Sequence, residues 1–397
     1  MEIGSVYEIN PTAVSVADHE PVKELQLDGV LKYGKQNIAY TASGRDAIAL
    51  ALYSLEQEMP DVSKKCLMPV YMCDTVFIPF LQRGWELIFY HIGKDMRADG
   101  EEIRTFIEEE RPGMLFIHGY YGVDTWDELR ADLANYQEKG LLVMEDMTQS
   151  YYMCPNSEDR KKGIFQSDYI VGSLRKWYAV PDGGFIATNR TLYREDMAYN
   201  DDFVKRRLQM LTQKWEYLNE MQNRKGYDSR EKQRWVETVL PRLVKMKEEY
   251  LAENRRLEEE LDHFTGVRRI SSISANLLLM VDEKECEERR KENLRILYEG
   301  LSGRKTIIPV FGEYTEEAAP LYMPVYMQDR DALQKFLREH DIYVPVLWLV
   351  GKENAECLSE DEEYIFSHVA AIPMDQRYEE KEMKRIIDVI EEYEKLL

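Results

Sequence analysis

The sequence predicts an α/β protein with a large three-layer α/β/α domain, a mostly parallel sheet and a smaller C-terminal α+β domain. Between residues 43 and 189, short apolar runs alternate with helical patterns, which is typical of βαβ units. Residues 195–262 carry almost no strand signal, and strand signals return after residue 272. The length of 397 residues exceeds the ~100–200 residues of one ordinary domain, so we expect two packed units.

The first half of the chain carries the elements of the large domain. Its first helix is predicted within SGRDAIALALYSLEQ, which opens with Ser43, a residue type that caps helices. Near-continuous apolar character, as in strands covered on both faces, predicts strands at 66–70, 86–92, 114–119, 141–146, 168–173 and 184–189. Helical patterns lie between these strands, near residues 74–83, 100–110 and 126–138.

The second half predicts a helical bridge followed by a small domain. Apolar residues recur at helical spacing over residues 241–262, so we expect one bridging helix there. After Ser272 we expect strands in ISANLLLMV, LYMPVYM and IYVPVLWLV, and helices in RDALQKFLREH and EEKEMKRIIDVIEEYEKLL. The expected division is a large domain over 1–240 with its core at 38–190, a bridge over 241–262, and a small domain over 263–397.

Composition and charge exclude several classes of protein. The formal net charge of −22 would repel phosphodiester backbones and anionic membranes, so we expect neither nucleic acid nor a membrane as partner. The N-terminus lacks a basic region followed by an apolar stretch, which favours a cytoplasmic protein. The five cysteines are scattered and never spaced as CxxC, so no metal site is expected.

Polar residues follow two of the predicted strands where a ligand is expected. Asp146 ends a buried strand, and open α/β sheets bind ligands at the carboxyl ends of their strands. Ser173 and Lys176 follow the next strand and precede Gly183-Gly184, whose missing side chains allow close approach. Pyridoxal phosphate needs a lysine, a carboxylate for its ring nitrogen, and hydroxyls or amides at a helix start for its phosphate. These residue types therefore indicate that cofactor.

The same motifs resemble the DegT/DnrJ/EryC1/StrS family of fold-type I pyridoxal-phosphate-dependent aminotransferases. Asp146 and Gln149 match an aspartate and a glutamine three residues apart in that family. Lys176 precedes Gly183-Gly184 by seven residues, as the imine-forming lysine of the family precedes its glycine pair. SGRDAIALAL is similar to the family's SGTxALxxAL, and HGYYG is similar to its HxxG turn. The resemblance implies that Lys176 binds the cofactor covalently and that Asp146 contacts the ring nitrogen.

The resemblance also implies a phosphate cup. In the family, the loop that feeds the first helix binds phosphate through the first amides of the helix. The corresponding residues here are Ser43, Gly44 and Arg45, and Ser173 would reach the same phosphate.

Further family contacts would surround the cofactor ring. Thr148 would lie against one face, and Gln149 would contact the phenolic oxygen. The segment PVYMCDTV is similar to the one that carries a ring-stacking aromatic residue in the family, so Tyr71 or Cys73 would lie against the ring.

The activity that the resemblance implies is transfer of an amino group from an amino acid to a keto substrate, such as a nucleotide-linked keto sugar. A pyridoxal-phosphate-dependent lyase or dehydratase is one alternative, although family dehydratases usually replace the lysine by histidine and this chain has Lys176. A non-catalytic, cofactor-binding regulatory protein of the same fold is another. Active sites of this family lie at a dimer interface, so we expect a homodimer.

Overall fold

A seven-stranded mixed sheet forms the centre of the first half of the protein. The structure is a computed structural model and describes residues 2–20, 24–153, 166–194, 197–223 and 228–397. The spatial order of the strands is β1-β7-β6-β5-β4-β2-β3. Their bounds are β1 Asn37–Thr41, β2 Lys65–Pro69, β3 Glu86–Tyr90, β4 Met114–His118, β5 Leu142–Asp146, β6 Tyr169–Gly172 and β7 Gly184–Thr188. The six strands predicted from apolar runs are therefore confirmed, and β1 is an additional strand.

The register of the sheet brings the predicted functional residues to one edge. Strands β3, β2, β4, β5 and β6 are parallel, and β7 is antiparallel to both β6 and β1. His118 at the end of β4 pairs with Asp146 at the end of β5, and Asp146 pairs with Val171 near the end of β6. Because parallel strands end at the same edge, the loops that follow them share one space.

Helices cover both faces of this sheet, and its five central strands, β2 and β4–β7, are buried because of them. They are α1 Pro11–His19, α2 Asp28–Leu31, α3 Gly44–Glu58, α4 Phe77–Gln82, α5 Gly100–Glu110 and α6 Arg130–Glu138. Helix α5 agrees with its predicted bounds, whereas α6 begins four residues later than predicted. Helix α3 packs closely on β7, β6 and β1, so its N-terminus lies beside the carboxyl end of β6.

Long helices follow the sheet, at α7 Asp201–Asn223, α8 Ser229–Thr238 and α9 Leu240–His263. Helix α9 covers the segment predicted as a bridge, and Leu243, Tyr250, Leu257 and Leu261 of its apolar stripe are buried. Charged residues of α7 pair with acidic residues of α9, for example Arg206 with Glu253. Within the described part of the chain, no helix is both long and apolar enough to cross a membrane.

A three-stranded antiparallel sheet forms the centre of the last third of the chain. Its order is β10-β9-β8, with β8 Ile307–Pro309, β9 Tyr322–Met327 and β10 Val369–Pro373. The helices of this part are α10 Ser272–Leu279, α11 Glu283–Leu301, α12 Arg330–Glu339, α13 Glu360–His368 and α14 Glu380–Glu394. Leu297, Val325 and Ile386 share one core there, and Ile3 from the N-terminus packs into it and pairs with Ile342.

The strand predicted in ISANLLLMV is wrong, because this segment lies in helix α10. Ser271 caps that helix by accepting a hydrogen bond from the backbone N–H of Ser274. The carboxylate of Asp182 accepts further bonds from the hydroxyls of both serines. A satisfied N-cap favours a helix. Residues are buried on all sides of this helix, so its sequence is as apolar as that of a buried strand.

The strand predicted in IYVPVLWLV is also wrong, since residues 343–350 are irregular. Pro345 has no N–H and cannot donate to a ladder, although its carbonyl accepts a hydrogen bond from Ala371 of β10. Leu349 is 75% exposed, so the apolar run does not continue into the core. Trp348, in contrast, turns inward and is 6% exposed.

Candidate active site

A cavity at the carboxyl edge of the large sheet collects eight of the ten residues predicted to bind a cofactor. They come from four separate stretches of sequence, at Ser43, Gly44, Arg45, Cys73, Asp146, Thr148, Ser173 and Lys176. The cavity lies between the N-terminus of α3 and the loops after β5 and β6. Tyr71 and Gln149 do not line it. The structure therefore brings the predicted lysine and aspartate together with the predicted phosphate-binding end of α3.

Asp146 is 5% exposed at the end of β5, and its partners are hydrogen-bond donors and an imidazole. Oδ1 accepts a hydrogen bond of 2.8 Å from the backbone N–H of Thr148. Oδ2 lies 3.3 Å from Nδ1 of His118. Burial raises the pKa of Asp146, but the His118 charge and the Thr148 hydrogen bonds hold that pKa below its ordinary value. Asp146 is therefore ionised near neutral pH.

His118 is 1% exposed and packs between Asp146 and two aromatic rings. The ring centroids of Tyr120 and Trp348 lie 4.8 and 5.4 Å from its own, both nearly edge-on. Among the described residues, neither ring nitrogen of His118 has a hydrogen-bond partner of good geometry. Nδ1 faces the Asp146 carboxylate, whereas Nε2 is left without a partner among the described residues, although buried polar atoms are usually satisfied.

Lys176 ends a short 3-10 turn, Leu174–Lys176, directly after β6. The turn is anchored to the Asp146 loop, because Nε1 of Trp177 donates a 2.8 Å hydrogen bond to the carbonyl of Thr148. Gln376 holds it from the other side by donating a 2.6 Å bond to the carbonyl of Trp177. Lys176 itself is exposed, and no described residue hydrogen bonds to its amine or forms an ion pair with it.

The N-terminus of α3 forms the opposite wall. Ser43 is its N-cap and accepts a hydrogen bond from the backbone N–H of Asp46. Arg268, which is 2% exposed, donates two side-chain bonds of 3.0 Å to the carboxylate of Asp46 and so fixes the first turn of the helix. The free N–H groups of that turn and the helix dipole make this end suited to an anion such as phosphate.

Close contact between α3 and β7 depends on glycine. A Cβ atom on Gly184 would lie 2.3 Å from the carbonyl carbon of Ser43, a distance that backbone atoms cannot accommodate without moving. A Cβ atom on Gly44 would lie 3.4 Å from Cβ of Ser173. The glycine pair noted in the sequence therefore allows the Ser43 loop to approach the sheet.

Helix α9 contributes acidic residues that sequence reasoning did not place at the site. Glu258 accepts two hydrogen bonds of 2.8 Å from Arg175 and one of 2.8 Å from Arg207. Asp262 accepts a hydrogen bond from Arg45. Although burial raises the pKa of Glu258, the charges of Arg175 and Arg207 hold it well below its usual range. Arg45 and Arg175 thus enter the site already paired.

The remaining two predicted residues lie behind the cavity. Tyr71 is fully buried, 4.8 Å from Trp348 between ring centroids, with its hydroxyl 3.2 Å from that of Tyr121. Oε1 of Gln149 accepts a 3.3 Å hydrogen bond from the backbone N–H of Tyr121.

Trp348 lines the cavity and was missed, because it lies 172 residues after Lys176 in an irregular segment without a motif.

Comparisons with known proteins identify the fold. No protein-family model and no curated protein matches the chain. Among solved structures, Helicobacter pylori PseC, an aminotransferase involved in pseudoaminic acid biosynthesis, is 13% identical, with a TM-score of 0.64 over 99% of each chain. The aminotransferase TlmJ from Streptoalloteichus hindustanus is 15% identical, with a TM-score of 0.63 over 98% of each chain.

A third structure is similar to the same extent. A DegT DnrJ EryC1 StrS aminotransferase from Brucella abortus is 15% identical, with a TM-score of 0.59 over 96% of this chain and 94% of that one. The chain therefore has the α/β fold of these aminotransferase structures over nearly its whole length. This agrees with the fold class predicted from the strand and helix pattern.

Proposed function

We propose that this protein is a pyridoxal-phosphate-dependent aminotransferase of fold type I that is related to the DegT/DnrJ/EryC1/StrS family. Its substrates are an amino acid donor and a keto acceptor. Two structures of similar fold, the sugar aminotransferase CalS13 and DesI in the presence of its TDP-sugar product, suggest a nucleotide-linked keto sugar as the acceptor. One observation carries the proposal. Lys176, Asp146 and the N-terminus of α3, which are distant in sequence, line one cavity at the ligand-binding edge of the sheet.

The residues present suit the cofactor in their chemistry. Among the described residues, the amine of Lys176 has no partner and is available for an imine, and the buried carboxylate of Asp146 has no arginine or lysine partner. The first turn of α3 and the Ser173 hydroxyl supply donors for a phosphate. Nε2 of His118, which has no partner among the described residues, is a further polar group in the wall of this cavity.

Space in the site is limited by Trp348. The cavity measures about 60 Å³, whereas ligand pockets commonly reach ~300 Å³ or more. The indole of Trp348 lies across its wall beside His118. A second cavity of about 440 Å³ shares Arg175 and Lys176 with the first. Binding of the cofactor therefore requires this cavity to widen, and a rotation of the Trp348 side chain would widen it.

Pyridoxal phosphate, when bound, supplies an electrophilic carbonyl and an electron-accepting ring. Asp146 would hold a proton on the ring nitrogen, since the pKa of its carboxyl is low and it remains anionic. The Nζ amine of Lys176 would carry a proton to and from the α-carbon of the amino donor as a general base and acid. Thr148 positions both groups, because it bonds to Asp146 through its N–H and to Trp177 through its carbonyl.

Trapping of an imine on Lys176 tests the proposal directly. The purified chain is incubated with pyridoxal phosphate, reduced with borohydride, digested, and its peptides are weighed by mass spectrometry. We expect the reduced cofactor on Lys176 and none in Lys176→Ala. The control Lys139→Ala removes another exposed lysine, which precedes β5 at the opposite edge of the sheet and lines neither cavity, and should retain the label. Modification elsewhere, or none, refutes the proposal.

Conversion of the bound cofactor distinguishes the alternatives. The spectrum should change to that of pyridoxamine phosphate when an amino donor is added alone. Release of ammonia or of an unsaturated product would instead indicate a lyase or dehydratase. A trapped imine on Lys176 with no response to any amino donor would indicate a regulatory, cofactor-binding protein.

We further propose a homodimer in the cytoplasm, divided into units at 1–240, 241–262 and 263–397. The separate cores around the two sheets support two units, although Ile3 packs in the core of the second unit and Leu278 shares a core with Trp177 of the first. Light scattering of the purified chain tests the dimer, cell fractionation tests the location, and limited proteolysis tests the boundaries.

A further inference from the structure

The second cavity, which we call the arginine cavity, lies beside Lys176 and is unusually rich in cations. It measures about 440 Å³, and its cationic lining residues are Arg175, Lys176, Arg290, Arg338 and Arg377, against one acidic lining residue, Asp375. Lys176 lines both cavities, so a ligand in the arginine cavity can reach its amine. In a chain of net charge −22 this local excess of positive charge calls for an explanation.

Ion pairs neutralise only part of this charge. Arg175 is paired with Glu258, and Arg377 is paired with Asp375 and Glu8. Arg338 is exposed at the end of α12, and no described residue forms an ion pair with it. The cavity therefore keeps an uncompensated positive potential, which attracts anions.

Arg290 adds to this potential, because it is fully buried and no described carboxylate forms an ion pair with it. Its guanidinium donates to Oε1 of Gln376, to the carbonyls of Pro320 and Leu321, and to the hydroxyl of Tyr7, at 2.9–3.1 Å. These four bonds can use four of its five N–H groups. The guanidinium also lies over the Trp177 ring, and the charge of Arg290 helps to lower the pKa of Asp375 without an ion-pair contact. A bound anion in direct contact would stabilise this buried cation further.

Hydroxyl groups complete a set of donors for an oxyanion. Tyr322 lines the arginine cavity, and its hydroxyl has no hydrogen-bond partner among the described residues. Tyr7 accepts from Arg290, so its own proton remains free to donate into the same space. Charge-assisted hydrogen bonds from guanidinium groups to carboxylate or phosphate oxygens are stronger than hydrogen bonds between neutral groups.

We propose that the arginine cavity binds an oxyanion of the substrate, a carboxylate or phosphate group, through Arg290, Arg338 and Tyr322, and so places the reacting carbon at Lys176. The assignment of this oxyanion to a substrate rests on the proposed function. The carboxylate of an amino acid donor and the diphosphate of a nucleotide-linked sugar share this chemistry, and the experiment below separates them.

Binding of two probes to the full chain tests the site. Dissociation constants for L-glutamate and for uridine diphosphate are measured by calorimetry, with uridine as an uncharged control. Arg338→Gln removes an exposed cation, and Tyr322→Phe removes a single unpartnered hydroxyl, so thermal melts should show both variants folded. Arg234→Gln is the matched control, because Arg234 is also exposed, has no described ion pair and lies outside both cavities.

We expect Arg338→Gln and Tyr322→Phe to weaken binding of one probe, by about tenfold for a lost hydrogen bond to a charged group. Loss of glutamate identifies a carboxylate site, and loss of uridine diphosphate identifies a phosphate site. Binding of neither probe to the wild type, equal affinities in the variants, or an equal loss in Arg234→Gln overturns the proposal. If borohydride leaves Lys176 unmodified while these variants still lose a probe, the proposed function fails and the anion site stands.

Discussion

Replacement of Arg130 by methionine should destabilise the edge of the sheet that carries Asp146. Arg130 is 4% exposed and donates a 2.7 Å hydrogen bond to Glu145, which is 1% exposed, and a 2.8 Å bond to Asp124. Methionine can fill much of the volume but leaves the buried Glu145 carboxylate without its ion-pair partner, and only the charge of Lys35, which makes no ion-pair contact with it, remains. Breaking a buried pair from one side costs ~3–5 kcal/mol, so we expect the free energy of unfolding to fall by that amount at neutral pH.

The loss should depend on pH with a defined sign. Burial raises the pKa of Glu145, but the charge and hydrogen bond of Arg130, with the Ser167 hydroxyl, hold it below its ordinary value of 4.5. In the wild type this group therefore stabilises the fold above pH 4.5, and the contribution is lost as pH falls through the lower folded pKa. Without Arg130 the carboxyl protonates more readily, so the difference between variant and wild type should shrink towards pH 4.5.

Urea unfolding at neutral and acidic pH measures this effect. The control is Arg104→Met, because Arg104 and its partner Glu101 are 43% and 80% exposed, and such pairs contribute ~0–1 kcal/mol. Adding Glu145→Gln to Arg130→Met should restore part of the lost stability, since the amide oxygen can still accept from Ser167. A loss below about 1 kcal/mol, or one equal at both pH values, would refute the reasoning.

Two further changes test the walls of the site. Burial raises the pKa of Asp182 to about 6 from 3.8, so the free energy of unfolding should fall as pH rises between these values. Asp182→Asn should flatten this part of the pH profile measured by urea unfolding. An unchanged profile would contradict the assignment. Gly184→Ala should lower the free energy of unfolding in urea by ~1–3 kcal/mol, because the new Cβ atom would meet the Ser43 backbone. The variant should also retain less pyridoxal phosphate on gel filtration. Unchanged stability and retention would show that the Ser43 loop can move without cost.

Local patterns were sufficient to predict most of the large sheet. Strands β2 and β4–β7 are buried on both faces, so their residues form continuous apolar runs that can be recognised without knowledge of their neighbours. Strand β1 was not predicted, since it is only partly buried, so NIAYT is not a continuous apolar run, and its partner β7 lies more than 140 residues away. Helix α10 was read as a strand because its apolar residues satisfy either structure, and the contact between its cap and Asp182 decides between them.

The residues of the candidate site also fall into two groups, those that could be selected from the sequence and those that could not. Asp146, Ser173 and Lys176 could be selected from sequence because each follows a recognisable strand, and parallel neighbouring strands bring such positions to one edge. Trp348 and Arg290 could not be selected, since neither belongs to a recognised motif. They were found only because the chain returns to the same cavities after more than one hundred further residues.

The sequence by itself determined the layered α/β architecture, the strand ends that carry polar residues, and the likeness of those residues to a cofactor site. Only the tertiary structure decided that Glu258 and Asp262 neutralise Arg175 and Arg45, whereas Arg290 is buried without a described ion pair. Periodicity and capping act between residues that are neighbours along the chain. Burial and the pairing of charges depend on distance through space, which no local pattern specifies.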